Sequence, residues 1–165
     1  MNEHRRDQKT EAMIALMITS DTRTPEDDET GKTATKLLEE SHHKIVAYVI
    51  VENDAEKIKE AFKGFVKNKI IDVIITSGGT GISYRDKTVD NISNFFEKEL
   101  PGFGELFRRY SFEEIGEASM FSRATAGIIQ GKLVFCIPGS KSAMNTALKK
   151  IVLPSIGHLL WEIKR

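Results

Sequence analysis

The stretch TSGGTGISYRDKT, residues 76–88, places Gly78, Gly79 and Gly81 directly after an apolar run and follows them with Arg85 and Asp86. Lacking Cβ atoms, the glycines let a backbone turn sharply and bring its N–H groups close to an anion. Ser77 and Thr80 add hydroxyl donors, and a phosphate is the natural guest where a helix N-terminus completes the cradle. Arg85 supplies a cation for a polyphosphate and Asp86 a carboxylate for Mg²⁺, two parts that phosphoryl chemistry needs and a plain turn does not. On the glycines alone, a structural strand-to-helix turn competes with this reading. The stretch is neither a P-loop, having no Gly-Lys-Ser/Thr at the required spacing, nor a dinucleotide fingerprint, since Tyr84 stands where the last glycine belongs.

PGSKSA, residues 138–143, is a second candidate cradle, with Ser140 at a helix start; taken alone, a simple N-cap explains it better. Ser20-Asp21 and Asn53-Asp54 each follow an apolar run. Asp27, Asp28 and Glu29 read as a solvated turn or as partners of a helix dipole. Cys136, inside LVFCI, reads as a small core residue, because a nucleophile needs exposure and an activating base. His42 and His43 lack a third ligand and read as surface or helix-terminal residues, as do His4 and His158. Arg108 and Arg109 suit a solvated face or a subunit contact.

A length of 165 residues with 40% hydrophobic composition fits one domain, 11–165, behind a polar, aperiodic segment, 1–10, expected to be a disordered tail. The 24 basic and 24 acidic side chains cancel, so no overall field favours nucleic acid or an anionic membrane. A single cysteine excludes an internal disulfide or a multi-cysteine metal cluster. Without a membrane-length apolar run or a secretory signal, a cytoplasmic location is expected.

The elements that must position these residues follow from periodicity. Strands are expected at 12–19, 44–52, 70–76, 125–129 and 132–137, the last two joined as a hairpin through Gln130-Gly131. Helices are expected at 31–41, then from a capping box of Asn53 and Glu56 through Ile58, Phe62, Phe65 and Val66, and at 88–99. Short helices are expected across PGFGELFRRYSFEEIG, where Phe103, Phe107, Tyr110 and Phe112 are either core or subunit interface. A helix from Ser140 to about 152 should be broken by Pro154 before a closing helix. Strands alternating with helices give a doubly wound α/β domain, mostly parallel with one antiparallel strand. In such sheets ligands bind outside the carboxyl ends of the strands, where four loops, 20–21, 53–54, 77–86 and 138–140, hold the unusual residues.

Six segments in this order, SDTRT at 20–24, EDDETG at 26–31, SGGTGISYRDKT at 77–88, GFGELFR at 102–108, SRATAG at 122–127 and PGSKSA at 138–143, resemble the MoaB/Mog family of molybdenum cofactor biosynthesis. The resemblance implies a three-layer α/β/α sandwich that assembles as a homotrimer or hexamer. It implies Mg²⁺- and ATP-dependent adenylylation of molybdopterin, giving AMP-molybdopterin and pyrophosphate, with a separate molybdate or tungstate insertion protein downstream. It assigns Ser77, Gly78, Gly79, Thr80 and Gly81 to phosphate binding, Asp86 to Mg²⁺-linked catalysis, Pro138, Gly139 and Ser140 to a second binding loop, and Ser20 and Asp21 to the pocket wall. Many relatives carry an aspartate just after the second strand where this chain reads VEND; Asn53 occupies that position with Asp54 beside it, so either Asp54 substitutes or the site is weakened. A non-catalytic molybdopterin-binding or scaffolding subunit is the alternative. CinA-type domains, which usually read G-G-L-G-P-T here, fit Thr80-Gly81-Ile82 less well.

Overall fold

Apolar runs of strand length form a six-stranded sheet in the order β2-β1-β3-β6-β5-β4. The strands are β1 (Met13–Thr19), β2 (Lys44–Val51), β3 (Val73–Ser77), β4 (Lys98–Glu99), β5 (Thr125–Ile129) and β6 (Lys132–Ile137). This computed structural model describes residues 11–165; the tail expected at 1–10 lies outside them. β1 pairs in parallel with β2 and β3, and β3 with β6, while β5 runs antiparallel to both β6 and β4. Among the described residues β5 is therefore the one reversed strand. At the tip of its hairpin Gln130 and Gly131 have φ of 47° and 73°, the paired left-handed residues of a type I′ turn that matches strand twist.

Ile14, Leu16 and Ile18 face a cluster with α1 (Glu29–Glu40), α4 (Pro101–Ile115), α5 (Lys141–Ala147) and α6 (Leu153–Lys164); Ala15 and Met17 face α2 (Ala55–Lys67) and α3 (Thr88–Ile92). Helices thus cover both faces in three layers. All five of these β1 residues are fully buried, which is why the strand reads as a continuous apolar run and not as an alternating one.

Four expectations are corrected by packing. The helix expected at 88–99 stops at Ile92 and passes through a tight turn, Ser93–Phe95, into β4. Asn91, Ser93 and Asn94 donate side-chain bonds of 2.7, 2.8 and 2.7 Å to the carbonyls of Lys87, Val89 and Asp90, local bonds that compete with a helical ladder. Phe96 then lies over Gly127, where an added Cβ would come within 2.3 Å of the ring. The aromatic segment is one helix, α4, and Gly104 within it marks close packing: a Cβ there would stand 2.6 Å from the Ala124 carbonyl.

Pro154 does not break the closing helix. A π-helical turn, Leu148–Val152, joins α5 to α6, and the proline sits in the first turn of α6, where its missing N–H costs little. Finally, Asp54 and not Asn53 caps α2, its carboxylate accepting from the Lys57 N–H at 2.9 Å.

Candidate functional site

Because β1, β2, β3 and β6 are parallel, the turns leaving them emerge on one edge of the sheet. The chain passes from β1 outward to β2 and then back to β3 on the other side of β1, which makes the β1/β3 boundary the switch point where such folds open a crevice. All four loops predicted to meet do so here. Ser20 N–H donates to the Val51 carbonyl at 2.8 Å, Asn53 N–H to Asp21 Oδ1 at 2.7 Å, and Gly78 N–H to the Ile137 carbonyl at 2.9 Å. Ser77 Oγ donates to the Pro138 carbonyl at 3.2 Å. A Cβ on Gly139 would stand 3.3 Å from Gly78 Cα, so the glycine turn and the Pro-Gly-Ser turn touch backbone to backbone.

Gly78 and Gly79 have φ of 100° and 66°, values that side-chain-bearing residues avoid. Their Cβ positions are also occupied: one would meet the Thr19 carbonyl at 2.4 Å and the other Thr88 Oγ1 at 2.3 Å. Thr88 closes the turn by donating its N–H to the Gly79 carbonyl at 3.1 Å and its hydroxyl to Thr19 Oγ1 at 3.1 Å. Among the described residues the N–H groups of Gly79, Thr80, Gly81 and Ile82 reach no protein acceptor. These are four successive donors without a protein partner, with Gly78 and Thr80 themselves buried, and successive backbone N–H groups of this kind suit an anion where they converge.

Asp86 lies against this turn. Its Oδ2 accepts from the Ser83 N–H at 2.9 Å, and a Cβ on Gly81 would come within 2.7 Å of the same oxygen. Glycine at 81 is what lets the carboxylate approach. No group of three His, Cys, Asp or Glu residues suited to holding a metal occurs among the described residues. The donor set nevertheless suits Mg²⁺, which binds through one or two carboxylates plus substrate phosphates and not in an all-protein cage.

Several predicted residues do structural work at this rim. The Ser77 hydroxyl, fully buried, joins the two turns. Ser20 Oγ accepts from the Arg23 N–H at 3.1 Å, and Ser140 Oγ caps α5 by accepting from the Ala143 N–H at 3.1 Å. The Asp54 carboxyl, held below its ordinary value first by the Lys57 backbone N–H, is aimed at its helix. Asn53 is different: Nδ2 lies 3.5 Å from Asp21 Oδ2, while Oδ1 is buried without a protein partner.

Asp28 is no solvated turn residue. It is fully buried, caps α1 through the Gly31 N–H at 2.9 Å, accepts from the Tyr48 hydroxyl and pairs with Arg23 at 3.6 Å. Burial, and then the bond to Asp28, holds the Tyr48 phenol well above its usual value, so it stays a donor. Arg23 and Thr30 both donate to the Gly139 carbonyl, at 2.8 and 3.0 Å, tying this node to the Pro-Gly-Ser turn. Beside that turn is a cavity of about 130 Å³ walled by Phe107, Glu114, Ile115, Pro138 and Thr146. Hydrogen bonds from Ser142 and then Thr146 keep the Glu114 carboxyl below its ordinary value.

A family profile described as "Probable molybdopterin binding domain" matches residues 15–158. Molybdenum cofactor biosynthesis protein B of Bacillus cereus is 42% identical over 166 residues, spanning 100% of this chain and 98% of that one. The chain belongs to the MoaB/Mog family. A crystal structure of a molybdenum cofactor biosynthesis protein B superposes on it with a TM-score of 0.91 at 43% identity, covering 94% of this chain and 97% of that one. The tungsten cofactor synthesizing protein MoaB from Pyrococcus furiosus does so with a TM-score of 0.85 at 35% identity, covering 95% and 99%.

For this MoaB/Mog chain, reasoning from sequence overlooked Arg23, Thr88 and Arg123, and left Asp28 between a solvated turn and the helix partner it is. Arg23, Asp28, Thr88 and Arg123 all lie inside segments that carry the family resemblance, which was the available signal. Cys136 is fully buried, its thiol pushed up to about 12 by burial, and takes no nucleophilic part. His43 is buried and not superficial: its Nδ1 accepts from the Ala12 N–H at 3.1 Å.

Proposed function

We propose that this protein adenylylates molybdopterin, using Mg²⁺ and ATP to form AMP-molybdopterin and pyrophosphate. The observation that carries the reading is the contact of the glycine turn with the Pro-Gly-Ser turn beneath four free backbone donors. A terminal phosphate of the pterin substrate is already anionic at neutral pH, so it attacks the α-phosphorus of ATP without an activated protein nucleophile. The protein's part is positioning and charge stabilisation.

In this scheme the N–H groups of Gly79 to Ile82 receive phosphate oxygens, and Asp86 is the carboxylate that holds Mg²⁺ together with them. Bound there, the ion would offset charge on the departing pyrophosphate. Ser77, Gly78, Pro138, Gly139 and Ser140 hold the two turns in mutual register. The cavity beside Glu114 suits a pterin, whose ring amide and amino donors complement a carboxylate. Ser20, Asp21 and Asn53, joined at the carboxyl ends of β1 and β2, complete the residues assigned to the pocket.

Assembly as a homotrimer or hexamer, a cytoplasmic location and hand-over to a molybdate or tungstate insertion protein belong to the same reading. In support, no helix among the described residues is long and apolar enough to cross a membrane. Leu106, Phe112 and Ile115 on α4, and Met120 and Phe121 just after it, are exposed apolar side chains, the kind of surface that subunit contacts cover. Light scattering should give a multiple of the 18.5 kDa chain mass; a monomer at all concentrations counts against assembly.

One observation favours a non-catalytic binding subunit instead: Asn53 carries no charge and its Oδ1 is unpartnered. Purified protein incubated with ATP, Mg²⁺ and molybdopterin separates the readings. AMP-molybdopterin and pyrophosphate should form in equal amounts; tight molybdopterin binding with no product defeats the transferase reading.

A further inference from the structure

We infer that Arg123 is the positioning residue that sets the glycine turn in its anion-binding shape, an inference that rests on reading this turn as the phosphate cradle. Arg123 lies just before β5, far from the turn in sequence, yet every bond it makes is to the turn or to the start of α3. Its own N–H donates to the Thr80 carbonyl at 2.8 Å and its Nε to the Gly81 carbonyl at 2.8 Å. Nη2 donates to the Asp86 carbonyl at 3.1 Å, and Asp90 receives both Nη1 and Nη2, at 2.6 and 3.1 Å.

The consequence follows from peptide geometry. No cis peptide bond occurs among the described residues, and in a trans peptide the C=O and the following N–H point in opposite directions. With the carbonyls of Thr80, Gly81 and Asp86 drawn toward Arg123, the N–H groups of Gly81, Ile82 and Lys87 are turned away from it. Gly81 and Ile82 supply two of the four free donors, the first turned by the main-chain N–H of Arg123 and the second by its guanidinium. Without the guanidinium, glycine-rich backbone would have many conformations available, and only a few would align successive N–H groups.

Arg123 has little left to offer an anion directly. A guanidinium has five N–H donors, and Gly81, Asp86 and the two Asp90 oxygens engage four of them. Nor is the Asp90 pair there chiefly for stability: Asp90 is 59% exposed, and exposed ion pairs contribute little. Its geometric effect is to fix the guanidinium plane by a bidentate bond.

The test uses inorganic pyrophosphate as the probe, titrated calorimetrically into the full chain, with backbone amide NMR spectra recorded alongside. Arg123→Met should weaken pyrophosphate binding by about tenfold or more, the range seen when outer-shell support of a site is removed. The amide resonance of Ile82 should move most, while those of the β1 and β3 core stay. Arg123→Lys keeps the charge but loses the planar fork, so it too should weaken binding, and it carries the test if the methionine variant does not fold.

Pyrophosphate affinity in either folded variant within a factor of about two of wild type overturns the inference. Wild type that makes AMP-molybdopterin but does not bind pyrophosphate also removes it, leaving the reaction in place. Binding that depends on Arg123 in a protein that never forms AMP-molybdopterin removes the transferase reading and leaves Arg123 its role. Neither binding nor turnover removes both.

Discussion

At the scale of single residues, the proposed chemistry makes its sharpest demand on Asp86. Asn is nearly isosteric and keeps a side-chain oxygen to accept from the Ser83 N–H, the bond that shapes the loop. Only the charge is lost. Asp86→Asn should therefore lower AMP-molybdopterin turnover on the order of a hundredfold or more, the usual cost of removing one preorganised charge-stabilising group, with no change in melting temperature. Initial rates beside thermal melts check both halves, and full activity takes Asp86 out of the mechanism. Asp54→Asn should leave the rate unaltered, since its carboxylate faces the start of α2 and Asn is an equally good cap. Asn53→Asp places a carboxylate against Asp21, whose Oδ1 lies 2.7 Å from the Asn53 N–H. Like charges that close resist joint ionisation. Any acceleration by Asn53→Asp should therefore grow as pH rises, and rates measured from weakly acid to weakly alkaline pH read it directly.

At the scale of elements, what sequence revealed and what it hid divide along contact range. β1 and the β5–β6 hairpin were legible because their cause is local: a run of residues buried on both faces in one, and a Gln-Gly pair between apolar runs in the other. Gln130 still occupies a left-handed position, φ 47°, that Asn tolerates better. Gln130→Asn should stabilise the fold by about 1 kcal/mol, raising the melting temperature of a chain this size by roughly 3 °C. An unchanged or lowered melting temperature in calorimetry rejects that account of the turn. The end of α3 was only half legible: the Asn and Ser side chains that compete with its ladder are local, but the bare Cα of Gly127 over which the Phe96 ring settles lies elsewhere in the chain. Arg123 escaped notice for the same reason, reaching Gly81 across 42 residues and Asp90 across 33. The loops bearing the candidate site were foreseeable from strand polarity alone; the side chains that lock them were not.

At the scale of the whole molecule, the sheet has a working end and a fastened end. Turns and free donors gather at the carboxyl ends of the parallel strands, while side chains tie down the amino ends. There Asp72 Oδ2 accepts from the Met13 N–H at 2.9 Å, and Lys132 Nζ donates to the carbonyls of Asn68 and Ile71 at 2.8 and 2.6 Å. His43 belongs to the same set, its Nδ1 accepting from the Ala12 N–H where β1 begins. Burial lowers its pKa below the ordinary 6.5, outweighing the nearby Glu11. The unfolded chain, with its histidine near 6.5, therefore binds a proton that the folded chain refuses, so stability rises with pH through that window. The contribution is complete above pH 6.5 and is lost as pH falls through the lower folded-state value. Protonation at Nδ1 would also strip Ala12 N–H of its acceptor. Melting temperature should thus decline on acidification below pH 6.5, and the decline should be shallower in His43→Asn, which offers an uncharged acceptor. Because His43 lies at the fastened end, pyrophosphate affinity of the folded protein should not track this transition; a histidine variant with the wild-type pH slope, or one whose affinity for pyrophosphate shifts with it, refutes the separation of the two ends.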